Sequence, residues 1–287
     1  MDRLRSKLLL GLMGSAIQAS RSPTMYEREG EAQGVRCLYQ LLDLEVLKLD
    51  AGAIPELLKA AELMRFRGLN VTHPCKQAVM AHLTEIHADA KALGAVNAVI
   101  LEDGKRIGYN TDWFGFHESF KRGLPDAALD HVVQFGAGGA GSATAYALMK
   151  LGVKRLTLIE PDEPKASALM ERLNPLFGGR IGISKDVAES VNSADGVVNA
   201  TPLGMFGHPG VAVPKQLLRS SLWVAEIVYF PRDTELLQLA RAAGCRTVDG
   251  SWMAVYQAAE NFQMFFKMAP DVERMHRFFE EFEGPGK

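Results

Sequence analysis

Cysteine is scarce in this chain: three among 287 residues, Cys37, Cys75 and Cys245, far apart and with no C-x-x-C spacing. An odd, scattered set excludes a disulfide framework and fits a reducing, cytoplasmic setting. Charge of one sign is not in excess either. Lysine plus arginine is 32 and aspartate plus glutamate 34, a formal net charge of −2. There is no basic stripe interleaved with aromatics, so no nucleic-acid or membrane partner is expected, and the partner is a small molecule. Long hydrophobic runs are also missing. The stretch Leu8–Met13 carries Gly11, is followed by Gly14, lacks a cleavage-site pattern and is too short to span a bilayer, so it reads as a first strand. The histidines form no metal-like cluster: His82 and His87 would point to different parts of a helix surface, and no metal is expected. Repeats and low-complexity tracts are absent.

What is present centres on Val132–Gly141, VVQFGAGGAG. The apolar run Val132, Val133 and Phe135 passes into Gly136-Ala137-Gly138-Gly139-Ala140-Gly141, a G-x-G-x-x-G sequence, and then into Ser142–Leu151, rich in good helix formers. In this pattern the first glycine permits a tight turn, the second lets backbone approach a pyrophosphate, and the third seats the helix close on the strand. The helix N-terminus offers its unpaired N–H groups and positive dipole end to the phosphates. A second apolar run, Arg155–Ile159, ends in Glu160, the place where a dinucleotide fold holds the adenosine ribose. Strand, glycine turn, helix, strand and acid together point to a bound dinucleotide.

The length suggests about two domains. After the glycine motif, strands at Ile181–Ser184, Gly196–Ala200, Leu222–Val228 and Cys245–Val248 alternate with helices, which predicts an α/β fold with a parallel sheet wound on both faces. The chain closes with helices over Trp252–Lys267 and Val272–Phe282, separated by Pro270. Upstream, strands are expected at Lys7–Met13, Val35–Leu44 and Gly68–Thr72. A helix is expected over Thr24–Gln33, a second over Ile54–Arg67 ended by Gly68, and a third from Gln77 to Leu93. Gly94–Ile100 enters a strand, turns through the acidic-glycine hairpin Glu102-Asp103-Gly104-Lys105 and returns over Ile107–Tyr109 to Asn110-Thr111-Asp112. Trp113–Arg122 is helical and leads to a linker near Gly123-Leu124-Pro125.

Two places in the N-terminal half carry candidate chemistry. Ser20-Arg21-Ser22-Pro23 precedes a helix; a cap explains Ser22 but not Ser20, and two hydroxyls at this spacing can equally hold a carboxylate. Lys76 lies just beyond the carboxyl end of the Gly68–Thr72 strand, where open α/β sheets bind ligands. A lysine at a helix start opposes the dipole, so it is either a solvated surface residue or a functional one.

These segments, taken in order, resemble the shikimate/quinate dehydrogenase family along nearly the whole chain. The resemblance is carried by Ser20-Arg21-Ser22-Pro23, Asn70-Val71-Thr72-His73-Pro74-Cys75-Lys76, Gly94-Ala95-Val96-Asn97, Asn110-Thr111-Asp112, Gly136–Gly141, Asn199-Ala200-Thr201-Pro202-Leu203-Gly204-Met205 and Gly250–Gln257. It implies a Rossmann-type dinucleotide domain set beside an N-terminal substrate domain to which the last helices return. The expected limits are 1–113 for the substrate domain, 114–250 for the dinucleotide domain and 251–287 for the returning helices. It further implies oxidation of the C3 hydroxyl of a polyhydroxylated cyclic carboxylate. Lys76 and Asp112 would be the catalytic pair, Ser20 and Ser22 would bind the carboxylate, and Thr72, Asn97, Asp112 and Gln257 would hold hydroxyls. The dinucleotide would meet Gly136, Ala137, Gly138, Gly139, Ala140, Gly141, Glu160, Asp162, Thr201, Pro202, Gly204, Met205, Val228 and Gly250.

The chain departs from the family pattern in places. Ala19 replaces a usual histidine, and His73 stands where valine is common, a Thr-His-Pro pattern that resembles the NAD-linked catabolic branch. NADP-using relatives usually carry Asn-Arg-Thr after the second strand of the cofactor domain, whereas this chain has Glu160-Pro161-Asp162. A carboxylate accepts hydrogen bonds from a 2′-hydroxyl but repels a 2′-phosphate, by roughly 1–4 kcal/mol for unit charges about 4 Å apart. NAD is therefore expected over NADP, with shikimate as substrate and quinate as a second. The alternatives are a quinate or aminoshikimate dehydrogenase, or a non-catalytic dinucleotide or metabolite sensor. The sequence leaves monomer and homodimer both open.

Overall fold

Strand-forming runs of branched and leucine side chains collect into two six-stranded sheets in the computed structural model, which describes residues 7–281. The alternation of strand and helix makes the chain α/β, as the sequence pattern predicts. By contacts, one unit takes the chain up to Thr111 together with Gln257 onward, and the other takes Asp112–Tyr256.

The first unit contains β1 (Lys7–Gly14), α1 (Ser22–Ala32), β2 (Arg36–Asp43), α2 (Leu44–Leu47), α3 (Ile54–Leu63), β3 (Gly68–Val71), α4 (Cys75–Ala78), β4 (Glu85–Ile86), α5 (Ala88–Leu93), β5 (Ala98–Glu102) and β6 (Lys105–Tyr109). The sheet order is β2-β1-β3-β5-β6-β4. β1 runs parallel to β2 and β3, whereas β5 is antiparallel to both β3 and β6. The hairpin between β5 and β6 turns at Asp103 and Gly104, with φ of +52° and +75°, the mirror-image turn that matches strand twist. This topology carries the C-terminal ends of β1, β3 and β6 and the N-terminal end of β5 to one end of the sheet. Met13, Leu44, Ile54, Leu58, Leu69 and Val99 form the core beneath it.

Two expected helices differ. α3 stops at Leu63, and Arg65 takes a φ of +59° as the Arg67 N–H crosses to Leu9 O of β1. Gly68 is thus not a helix stop. It opens β3, where a Cβ would lie 2.3 Å from the Phe265 ring. The helix expected from Gln77 to Leu93 is instead α4, a 3-10 turn over Val79–His82, β4 and α5. The Thr84 and His87 N–H groups bond Arg106 O and Gly108 O, so pairing with β6 overrides the local helical pattern and His82 and His87 share no helix.

The second unit contains α6 (Asp112–Gly123), β7 (His131–Phe135), α7 (Gly139–Lys150), β8 (Arg155–Ile159), α8 (Glu163–Phe177), β9 (Ile181–Ile183), α9 (Val187–Asn192), β10 (Gly196–Asn199), β11 (Trp223–Glu226), α10 (Glu235–Ala242) and β12 (Arg246–Val248). All its pairings are parallel, in the order β12-β11-β10-β7-β8-β9. Every residue of β7, β10 and β11 is buried, as strands covered on both faces must be. Strand order reverses between β7 and β10, the switch point at which such sheets bind ligands. Side chains of Asp162, Asp186 and Thr234 cap α8, α9 and α10.

The contact division falls within α11 (Ser251–Phe266), and α12 (Val272–Glu281) follows. Phe282, the expected last helical residue, lies outside the described residues. Cys37, Cys75 and Cys245 are buried and form no disulfide. Among the described residues no helix is long and apolar enough to cross a membrane.

Candidate active site

In the first unit, the loop after β1 is pinned by Asp43. Its carboxylate accepts from the N–H groups of Ala16, Ile17 and Glu45 and from Gln18 Nε2 at 2.8–3.1 Å. Burial alone would raise this carboxyl, but the hydrogen bonds hold it below its ordinary value. The chain then reaches Ser20 and Ser22, both half-buried. α1 begins at Ser22 with Arg21 at the cap position and no side-chain cap. The cap expected of Ser22 is therefore not made. The Ser20 Oγ accepts from the Ser22 N–H at 3.2 Å, and the Ser22 side chain lies against the Tyr39 phenol.

From Tyr39 a polar line continues across the unit. The Tyr39 hydroxyl donates to Asn70 Oδ1 at 2.8 Å. Asn97 donates from Nδ2 to Thr111 Oγ1 at 3.0 Å and accepts the Thr111 N–H at 2.8 Å. Thr111 Oγ1 donates to Asn261 Oδ1 at 3.0 Å, and Asn261 Nδ2 donates to Gln257 Oε1 at 3.3 Å. The buried Tyr26 hydroxyl lies against both Asn70 and Asn261 without completing a hydrogen bond to either. Burial pushes both phenols up, so they remain neutral donors. Asn97 and Gln257 are thus joined through Thr111 and Asn261, and Tyr39 to Asn70, with Ser20 and Ser22 bonded to each other in the same unit, a set of donors and acceptors suited to a ligand bearing several hydroxyls.

Thr72 and Lys76 flank a cis His73–Pro74 bond at the end of β3. Thr72 N–H bonds Met13 O, Ser15 N–H bonds His73 O, and Val96 N–H bonds Lys76 O, each at 2.9 Å. Both residues therefore stand beside the β1 loop and the Asn97 segment. Lys76 is half-buried in the four-residue α4, which is too short to impose a dipole penalty, so that sequence argument lapses. Asp112 follows Thr111 directly and opens α6 in the second unit.

In the second unit the glycine loop has the fingerprint geometry. Gly136 has a φ of +96° and a Cβ there would lie 2.7 Å from Ala200 O; at Gly141 a Cβ would lie 2.5 Å from Gly136 O. Gly138 and Gly139 instead face open space, and no side chain caps α7. The first-turn N–H groups are left for an incoming acceptor, so the residues present fit a pyrophosphate. Beneath the loop, fully buried Gln134 donates from Nε2 to Gly136 O and Gly141 O at 2.8 Å each and accepts from Thr144 Oγ1 at 2.8 Å.

Glu160 Oε2 accepts from the Ala137 N–H at 2.9 Å and its Oε1 from the Asp162 N–H at 3.0 Å, which fixes the acid against the glycine loop. Asp162 caps α8 and pairs with Lys165 Nζ at 3.0 Å, a contact that lowers its carboxyl pKa. Arg155 sits at the opposite end of β8, bonded to His131 Nδ1 at 2.8 Å. After β10, Asn199 Oδ1 accepts from the Thr201 N–H and Oγ1 at 3.0 and 2.6 Å, and Asn199 Nδ2 donates to Leu203 O at 3.1 Å. These bonds shape the turn that carries Pro202, Gly204 and Met205. Val228 follows β11, and a Cβ at Gly250 would lie 2.3 Å from Ile227 O. The glycine loop, Glu160, the Thr201 turn, Val228 and Gly250 therefore gather at the carboxyl ends of the parallel strands. Among the described residues no group of three or more His, Cys, Asp or Glu side chains could hold a metal.

Sequence reasoning missed Tyr39, Asn70, Thr111 and Asn261 in the network, Asp43 behind the β1 loop, and Gln134. Asn70 and Thr111 stand inside motifs already noticed, Asn261 lies one helical turn after Gln257, and Gln134 is the polar residue in the apolar VVQF strand. Tyr39 and Asp43 carry no local signal.

Residues 12–99 match the family profile described as shikimate dehydrogenase substrate binding domain. The chain is 49% identical over 270 residues to the shikimate dehydrogenase (NADP(+)) of Streptomyces avermitilis, covering 93% of each chain. It is 46% identical over 276 residues to the quinate/shikimate dehydrogenase (NAD(+)) of Corynebacterium efficiens, covering 95% of this chain and 97% of that one. The solved structure of quinate dehydrogenase from Corynebacterium glutamicum in complex with NAD superposes with a TM-score of 0.92 at 43% identity, covering 96% of this chain and 100% of that one. A nicotinamide dinucleotide is common to these relatives, whereas their names divide between NADP(+) and NAD(+).

Proposed function

The chain belongs to the shikimate/quinate dehydrogenase family, and from that membership we propose that it catalyses the NAD-dependent, reversible oxidation of shikimate at the C3 hydroxyl, with quinate as a second substrate. In this reading the unit containing Ser20 to Asn97 and Gln257 is the substrate domain and the unit containing Gly136–Gly250 the dinucleotide domain. Ser20 and Ser22 bind the carboxylate, and Thr72, Asn97 and Gln257 take the ring hydroxyls. Lys76 Nζ accepts the hydroxyl proton and returns it in the reverse direction, and Asp112 is the second member of the catalytic pair. Gly136–Gly141 cradle the pyrophosphate, Glu160 and Asp162 face the adenosine ribose, and Thr201, Pro202, Gly204, Met205, Val228 and Gly250 serve the nicotinamide half. When bound, the nicotinamide supplies the acceptor for the hydride leaving C3.

Glu160 carries the cofactor assignment. Its carboxylate is held beside the Ala137 N–H with no arginine following it, an arrangement that favours a 2′-hydroxyl and opposes a 2′-phosphate. One observation favours the NADP reading: Lys165 at 3.0 Å from Asp162 offsets one of the two acids. The experiment is to mix purified protein with NAD and shikimate and follow the absorbance of the reduced cofactor, then repeat with quinate, an aminoshikimate and NADP. Shikimate-dependent reduction is expected. Dinucleotide binding with no reduction by any of the acids would instead identify a non-catalytic sensor.

A further inference from the structure

Glu226, which ends β11, is 1% exposed and has no part in the chemistry described above. Its Oε1 accepts from Asn199 Nδ2 and the Val228 N–H, each at 3.0 Å, and its Oε2 accepts from Asn199 Nδ2 at 3.0 Å and Thr234 Oγ1 at 3.2 Å. These donors come from three segments: the end of β10, the loop after β11 and the cap of α10. All are uncharged. Burying a carboxylate against neutral donors alone is a costly way to stabilise a fold, and an amide or apolar group fills such a site more cheaply. Its value, once it is ionised, lies in being an acceptor at both oxygens. An asparagine amide can be turned either way, and an acceptor-only partner permits one orientation, with Nδ2 toward the acid. That orientation points Asn199 Oδ1 at Thr201 and lets Nδ2 reach Leu203 O, the bonds that shape the turn through Met205. The same carboxylate holds the Val228 N–H, and Gly250 packs against the adjoining Ile227 carbonyl.

We propose that Glu226 is a positioning residue that orients the Asn199 amide and so sets the Thr201–Met205 turn and Val228 for the nicotinamide half of the dinucleotide. The proposal rests on the assignment of those segments to the nicotinamide, given above. The test compares wild type, Glu226→Gln and Glu226→Asp in the full chain, at a pH well above 7 so that the wild-type carboxyl is ionised. It measures kcat and KM for NAD with shikimate, and, by calorimetry, the Kd of NAD and of ADP-ribose, the dinucleotide without its nicotinamide ring. An amide at Glu226 offers NH₂ to Asn199 and frees it to turn. A misplacement near 1 Å costs up to about a hundredfold, so Glu226→Gln is expected to lose at least about tenfold in kcat/KM for NAD. NAD affinity should fall while ADP-ribose affinity stays within about twofold of wild type, because the glycine loop is untouched. Glu226→Asp, still acceptor-only, should recover part of the loss. Wild-type kinetics in Glu226→Gln, or an equal fall in NAD and ADP-ribose affinity, overturns the proposal. If Glu226→Gln does not fold, Glu226→Asp, whose shorter side chain pulls the acceptor back from Asn199, should show the same split at smaller size; unchanged kinetics there also overturns it. A wild type that binds NAD yet reduces none with any of the acids defeats the underlying functional reading instead.

Discussion

Lys76 is the residue on which the proposed chemistry depends. Replacing it removes the group that takes the hydroxyl proton, and a positioned acid/base contributes about 10²–10⁴ in rate. Lys76→Ala should therefore lose kcat by that order while NAD affinity, measured by titration, stays near wild type, since the residues proposed to hold the dinucleotide belong to the other unit. A variant with near-normal kcat would reject Lys76 as the acid/base. Lys76 stands out in the sequence because it sits in a contiguous motif. Others do not. Asp43 reaches the Ile17 N–H across 26 positions of sequence, and Tyr39 meets Asn70 across 31. Such partners are created by strand pairing, and nothing in their own neighbourhood announces them. Ser22 shows the reverse error. Its local pattern reads as a cap, but the helix starts one residue too early for its side chain to act as one.

At the scale of elements, the glycine loop depends on what lies under it. Gln134 ties the carbonyls of the first and last glycines together from inside the sheet. Gln134→Leu would take the shared donor from the Gly136 and Gly141 carbonyls and leave the Thr144 hydroxyl to the Ala140 and Gly141 carbonyls, a buried group losing its partner costing roughly 1–3 kcal/mol. The expected outcome is a lower Tm and a raised KM for NAD with the KM for shikimate little changed; steady-state kinetics alongside thermal unfolding check this. Elements were readable from sequence where apolar runs and glycine punctuation agree, as in β7, α7 and β8 of the dinucleotide unit. They were misread where pairing decided the outcome. The Gln77–Leu93 stretch has a helical pattern, yet its Thr84 and His87 N–H groups are taken by β6. Gly68 was expected both to end a helix and to open a strand, and only the second holds, the glycine making room for Phe265.

At the scale of the whole molecule, the fold class was readable because strand–helix alternation over the second half admits few other arrangements, while the mixed sheet of the first unit turns on the order in which distant strands pair, which local pattern does not encode. Stability should also carry a pH signature. Burial, only partly opposed by hydrogen bonds from Asn199, Val228, Thr234 and Ile227, pushes the Glu226 carboxyl up from 4.5 to about 7. Between these values the unfolded chain releases the proton first, so the folded state holds more protons and stability falls as pH rises; below 4.5 the penalty is absent, and above 7 it is complete. Relative to Glu226→Gln, wild-type stability from denaturant titration should drop by about 2–3 kcal/mol between about pH 5 and pH 8. A flat difference would contradict the burial argument.

The central claim is that this chain oxidises shikimate with NAD because Glu160 occupies the place that would meet the adenosine ribose. The most direct measurement is kcat/KM for NAD and for NADP at saturating shikimate. The account predicts that NAD is preferred by about tenfold or more, the ratio that about 1.4 kcal/mol of repulsion produces. Equal or better use of NADP would contradict it.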